Sequence, residues 1–145
     1  MAAPIRALVL FSDGSGAFRS HCHRAIVLGI QMLDRRVRFT HVALSDGSIV
    51  LETGPAGTRL WPLLDYAQNF PGLGLAIEVP CPRPPDLASL AGWPPIGLWS
   101  AGWGDCVAAT RAAARTGGVD LPWALTPHRL AHRLLTRNYP HAWLH

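Results

Sequence analysis

The chain has no lysine. All 13 of its basic residues are arginine, and with nine acids the net charge is +4. A GC-rich coding sequence would account for this usage and for the abundance of alanine, glycine and proline; the sharper alternative is an anion-binding surface. The arginines cluster twice, at Arg35, Arg36 and Arg38 and at Arg129, Arg133 and Arg137. The second set recurs every four residues, which predicts one exposed stripe of a helix. Neither cluster is interleaved with aromatic residues, so no nucleic-acid partner is expected. Cysteine is scarce too. Cys22, Cys81 and Cys106 are odd in number and widely spaced, which argues against a disulfide framework. No apolar run reaches the length of a membrane span: Ala7 to Phe11 and Ala25 to Leu28 are too short. The N-terminus lacks the basic-then-apolar build of a secretory signal. A soluble chain made in the cytoplasm is the expectation.

What is present suffices for a core. The 145 residues are 49% hydrophobic. A chain of this length folds as one domain, here 1–145, and buries about two-thirds of its unfolded surface. Ile5 to Phe11 reads as a buried strand ending in Ser12-Asp13-Gly14-Ser15-Gly16. Phe18 to Leu33 suits a helix. Arg38 to Leu44 and Ser48 to Thr53 are β-rich runs around Asp46-Gly47, a strong hairpin signal. Leu60 to Phe70 predicts a short helix with Pro62 near its start, and Leu73 to Val79 a further strand. Cys81 to Trp103 reads as a long connecting loop rich in Pro and Trp, with a helical window at Asp86 to Leu90. Asp105 caps a predicted Ala-rich helix to Thr116, closed by Gly117-Gly118. Thr126-Pro127 opens another, to about Arg137. Asn138 to His145 reads as an irregular tail. Strands in a block with helices before and after predict an α+β fold, a small antiparallel sheet packed against helices.

Two features carry chemistry. With Asp46 and Gly47 as the two turn residues, Leu44 faces Ile49, Ala43 faces Val50, Val42 faces Leu51 and His41 faces Glu52. Opposed residues point to one face with Cβ atoms about 4.5–5.5 Å apart. His41 and Glu52 are the ionisable pair of an otherwise apolar hairpin. A carboxylate beside an imidazole fixes its tautomer and leaves the other nitrogen as a base; the same pairing also occurs as a plain cross-strand ion pair. The second feature is Cys106. With Asp105 as N-cap it is the first residue of its helix, where the helix dipole and unpaired N–H groups favour a thiolate and an oxyanion. The adjacent Asp105 charge opposes this. Together the features suggest a Cys–His–carboxylate arrangement.

Three segments carry a family resemblance. Arg38 to Thr53 (RFTHVALSDGSIVLET) resembles a histidine strand with its following turn and strand. Gly57 to Leu63 (GTRLWPL) resembles the segment after it. Gly104 to Ala113 (GDCVAATRAA) resembles a nucleophile helix. The family is the circularly permuted branch of the NlpC-like, papain-fold cysteine amidohydrolases, with the YiiX-like and lecithin:retinol acyltransferase-like proteins. The histidine precedes the cysteine, as in the permuted group. The chain departs from the pattern at Val107-Ala108, where a polar residue ordinarily follows the cysteine. The resemblance implies a papain-like fold, His41 as general base, Cys106 as nucleophile and Glu52 as orienting residue. It implies no metal or other cofactor. It also implies an amide substrate in a peptide, foremost bacterial cell-wall peptide, cleaved by a bacterial or phage enzyme that is cytoplasmic or virion-associated. Trp99 and Trp103 are the candidates for a substrate-binding wall. A second reading is a catalytically inactive papain-like scaffold that assembles with other phage or bacterial proteins.

Other patterns point elsewhere with less support. His21 and His23 flank Cys22 but do not share a helix face. His128 and His132 do share one, at the spacing of metal-binding histidines, yet Arg129 and Arg133 crowd the same turns. Asp13-Gly14-Ser15-Gly16 lacks the lysine of a phosphate loop.

Overall fold

Six strands form one antiparallel sheet in the computed structural model, which describes residues 4–13, 38–54, 57–70, 72–92 and 103–144. The strands are β1 (Arg6–Ser12), β2 (His41–Ser45), β3 (Ile49–Gly54), β4 (Gly57–Pro62), β5 (Leu73–Pro80) and β6 (His141–Trp143). Their spatial order is β4-β3-β2-β1-β5-β6. Three helices occur among the described residues: α1 (Leu63–Asn69), α2 (Trp103–Thr116) and α3 (Pro127–Leu135). The architecture is therefore α+β. No described helix is long and apolar enough to cross a membrane.

The period-two alternation of the strands sorts the core into two clusters. Val9 and Phe11 of β1, Val42 and Leu44 of β2, Leu51 of β3 and Leu75 and Ile77 of β5 pack with Ala113, Leu130 and Leu134 from α2 and α3. This is the α2/α3 face. Leu10, Ala43 and Val50 point the other way and pack with Tyr66 of α1 and with Phe70. This is the aromatic face.

Local chemistry explains the element ends. Thr126 accepts a hydrogen bond from the Arg129 backbone N–H at 3.1 Å, and Pro127 begins α3. At the end of α2, Gly118 takes φ +82°, and the Val119 N–H donates back to the Ala114 carbonyl at 3.0 Å. That closes a Schellman motif. Arg83 adds its side chain to the Thr116 carbonyl at 2.9 Å. Arg129, Arg133 and Arg137 are all exposed, although α3 stops at Leu135, short of Arg137.

Several expectations need correction. Leu60 to Pro62 is not helical. It completes β4, which pairs with β3 along its whole length, and α1 begins only after Pro62. The tail is not irregular throughout: His141–Trp143 adds to the edge of β5. The helical window at Asp86 to Leu90 shrinks to a 3₁₀ turn at Ala88–Leu90. The helix read at Phe18 to Leu33 lies outside the described residues.

Candidate functional site

His41 opens β2, directly opposite Ser12 of β1. The hairpin that brings Glu52 to it turns one residue later than its Asp-Gly signal predicts. The Asp46 carboxylate accepts from the backbone N–H groups of Ser48 and Ile49 at 2.9 and 3.0 Å, and the Asp46 N–H donates to the Ile49 carbonyl at 3.3 Å. Gly47, with φ +104°, and Ser48 thereby become the central pair. Asp46 is spent on closing the turn with its side chain. Ser45 pairs with Val50 and Leu44 with Leu51, not with Ser48 and Ile49. Continuing that register sets Glu52 beside Ala43. His41 and Glu52 are therefore diagonal rather than directly opposed. A slide of two residues keeps every side chain on its face, and diagonal neighbours remain within reach of long side chains. The His41 Nε2 lies 3.7 Å from Glu52 Oε1, an ion-pair contact too long for a hydrogen bond.

The pair is buried, with His41 0% and Glu52 2% exposed. Burial pushes the Glu52 carboxyl above its ordinary range. Two groups of β4 pull it back. Arg59 is the direct cross-strand partner of Glu52, and the Trp61 indole N–H donates to Glu52 Oε2 at 3.4 Å. The Arg59 guanidinium sits 5.4 Å from the Trp61 ring centroid. Aromatic rings enclose the rest. Phe70 lies parallel to the His41 imidazole at 6.2 Å, meets Trp61 edge-on at 5.8 Å and stacks on Tyr66 at 4.1 Å.

Tyr66 is the residue the sequence did not single out. It is 0% exposed, and its hydroxyl has no hydrogen-bond partner among the described residues. Burial, and then the charges of Glu52 and Cys106, push its phenol well above the usual range. The spacing of Tyr66 and Phe70 on and after one short helix was the only local signal, and core packing explains that spacing equally well.

Cys106 sits deeper in its helix than predicted. Because α2 begins at Trp103, Asp105 is a helical residue rather than the cap, and Cys106 is not the first residue. Cys106 is 1% exposed and belongs to the cluster of the α2/α3 face. The register of β2 assigns His41 to the aromatic face, beside Ala43. So the fold brings His41 and Glu52 together on one face and packs Cys106 with the hydrophobic residues of the other. Tyr66 senses both Glu52 and Cys106.

Of the remaining candidates, Trp99 and the Trp103 side chain lie outside the described residues, as do His21, Cys22 and His23. Of the Asp13-Gly14-Ser15-Gly16 turn only Asp13 is described. His128 uses its Nδ1 to accept from the Arg38 backbone N–H at 3.1 Å, while His132 is exposed. Among the described residues no three His, Cys, Asp or Glu are grouped to hold a metal ion. Comparison of the chain with protein-family models, curated proteins and solved structures found no match in any of the three.

Proposed function

We propose that the chain is a cysteine amidohydrolase of papain-like fold that cleaves an amide through a thioester acyl-enzyme. The observation that supports it is the buried His41–Glu52 pair, 3.7 Å apart on an otherwise apolar and aromatic face. A buried carboxyl beside an imidazole is costly, and orienting a base is the chemistry that calls for it. In the reading, His41 takes the proton of the Cys106 thiol as the sulfur attacks the amide carbon. The imidazolium returns that proton to the leaving amine. His41 then deprotonates a water that cleaves the thioester and restores the thiol. Glu52 positions the ring. The resemblance of residues 38–53, 57–63 and 104–113 to the permuted NlpC-like family supports bacterial cell-wall peptide as the substrate, in a bacterial or phage setting.

One observation favours a second reading. His41, Glu52 and Cys106 are 0, 2 and 1% exposed, as in a scaffold that has kept the fold and not the chemistry. Incubation with soluble cell-wall peptides, followed by mass spectrometry, separates the two. The enzyme reading predicts shortened peptides and an acyl adduct on Cys106, both lost in His41→Ala. Intact peptides and an unmodified Cys106 support the scaffold.

A further inference from the structure

We propose that the loop from Trp123 to Leu125 and the arginine face of α3 form a docking surface for an anionic phospholipid bilayer. The inference is independent of the chemistry proposed for His41 and Cys106. It starts from the distribution of charge. Asp120 is the last acid of the chain, and Leu121 to His145 carries three arginines and no carboxylate side chain. Those three, Arg129, Arg133 and Arg137, are exposed. Helix stability does not explain them. Asp or Glu is the stabilising choice in a first turn, where the helix dipole is positive. The first turn of α3 has no acid, and Arg129 stands there instead. A cation that opposes the dipole weakens its helix, so its use is to meet an anion outside the chain.

An apolar pair adjoins these charges. Trp123 and Leu125 are 58% and 52% exposed, while Ala124 between them is buried in the core. Ala124 anchors the segment from within and leaves the two large side chains outside. The loop is held in place. The Arg111 side chain donates to the Leu121 carbonyl at 3.1 Å, and Thr126 caps α3. The Arg133 guanidinium donates to the Trp123 carbonyl, which joins the arginine face to the apolar pair. The other side of α3, with Leu130, Ala131 and Leu134, packs into the core, so the helix cannot lie embedded along a membrane. The contact it can make is peripheral. Arginines meet the phosphate headgroups, and a tryptophan and a leucine enter the boundary with the acyl chains. Tryptophan suits that boundary because its ring is apolar and its indole N–H is polar. The apolar pair is what favours a bilayer over a soluble polyanion, which needs only the charge.

Sedimentation of the full chain with sucrose-loaded vesicles tests this. One set is an equal mixture of phosphatidylglycerol and phosphatidylcholine, and the other is phosphatidylcholine alone. The expected result is binding to the anionic set that weakens as salt rises, with binding to the neutral set weaker by about tenfold or more. Trp123→Ala should weaken binding to the anionic set by about tenfold, and Arg129→Gln by about fivefold. Arg6→Gln should leave it unchanged, because that charge is already met by Glu78 at 3.0 Å. Trp123 and Arg129 are exposed, so both variants should keep the wild-type melting temperature. Leu125→Ser probes the apolar pair a second time. Absence of binding to the anionic set overturns the proposal. So does equal binding to both sets, or an equal loss in Arg6→Gln and Arg129→Gln, which reports net charge alone. Full binding by both Trp123→Ala and Leu125→Ser also overturns it, and makes the arginine face a surface for soluble polyanions instead.

Discussion

Glu52 shows most clearly how a single residue can be kept against its own stability. Its carboxyl lies beside His41 and the Trp61 indole, and burial raises its pKa above the ordinary 4.5. The folded chain therefore holds the Glu52 proton more tightly than the unfolded chain does. This group favours folding fully below pH 4.5, and the benefit is lost as pH rises through the higher folded value. At neutral pH the buried carboxylate is a net cost. Glu52→Gln keeps the shape, keeps an acceptor for the Trp61 indole and removes the charge. It should raise unfolding stability by about 1 kcal/mol at neutral pH, with the gain vanishing below pH 4.5. Urea titrations at the two pH values check this. A loss of stability at neutral pH would mean that the His41 contact outweighs desolvation.

Turns and helix ends carry the predictions at the scale of elements. Asp46 is partly buried, which raises its pKa, but the hydrogen bonds from Ile49 and Ser48 outweigh this and leave the pKa below the ordinary 3.8. That stabilisation is present above pH 3.8 and disappears as pH falls through the lowered folded value. Asp46→Ala should cost about 1–2 kcal/mol at neutral pH and much less in strong acid. Urea midpoints measure the difference, and hydrogen exchange of the Ile49 amide localises it. Gly118→Ala should be costly as well. The backbone there has φ +82°, and an added Cβ would approach Pro82 Cγ to 3.1 Å. A loss of about 1–2 kcal/mol in urea unfolding is expected.

The same elements show what was legible beforehand. β1, β5, the end of α2 and the Thr126-Pro127 start of α3 are written in local chemistry, as apolar runs, a glycine at positive φ and a capping hydroxyl. The register of the β2–β3 hairpin was not, because Asp46 could occupy a central turn position or accept from the turn with its side chain, and only the tertiary structure decides. β4 was hidden because Leu60, Leu63 and Leu64 also fit a helical spacing. β6 was hidden because a three-residue strand exists only through its partner β5. Even so, the parity of the hairpin kept His41 and Glu52 on one face. The aromatic surround of Trp61, Tyr66 and Phe70 comes from packing between elements, which no local pattern encodes.

At the scale of the whole molecule, the sheet separates two populations of side chains. α2 packs across β2 and β3. It delivers Cys106 to the cluster on its own face, while His41 lies against Phe70 and Glu52 against Trp61. The proposed chemistry requires these groups to act as a unit across the His41 end of the sheet. Cys81 supplies an internal reference, because it too is buried and burial raises its thiol pKa. An imidazole that takes the proton of Cys106 would leave a thiolate at a pH where Cys81 remains a thiol. The decisive measurement is the rate of iodoacetamide labelling at each cysteine across pH, in wild type and in His41→Ala. The account predicts that Cys106 labels much faster than Cys81 from neutral pH downward, and that His41→Ala removes the advantage. Labelling of Cys106 no faster than Cys81, or a fast rate that survives the loss of His41, would contradict it.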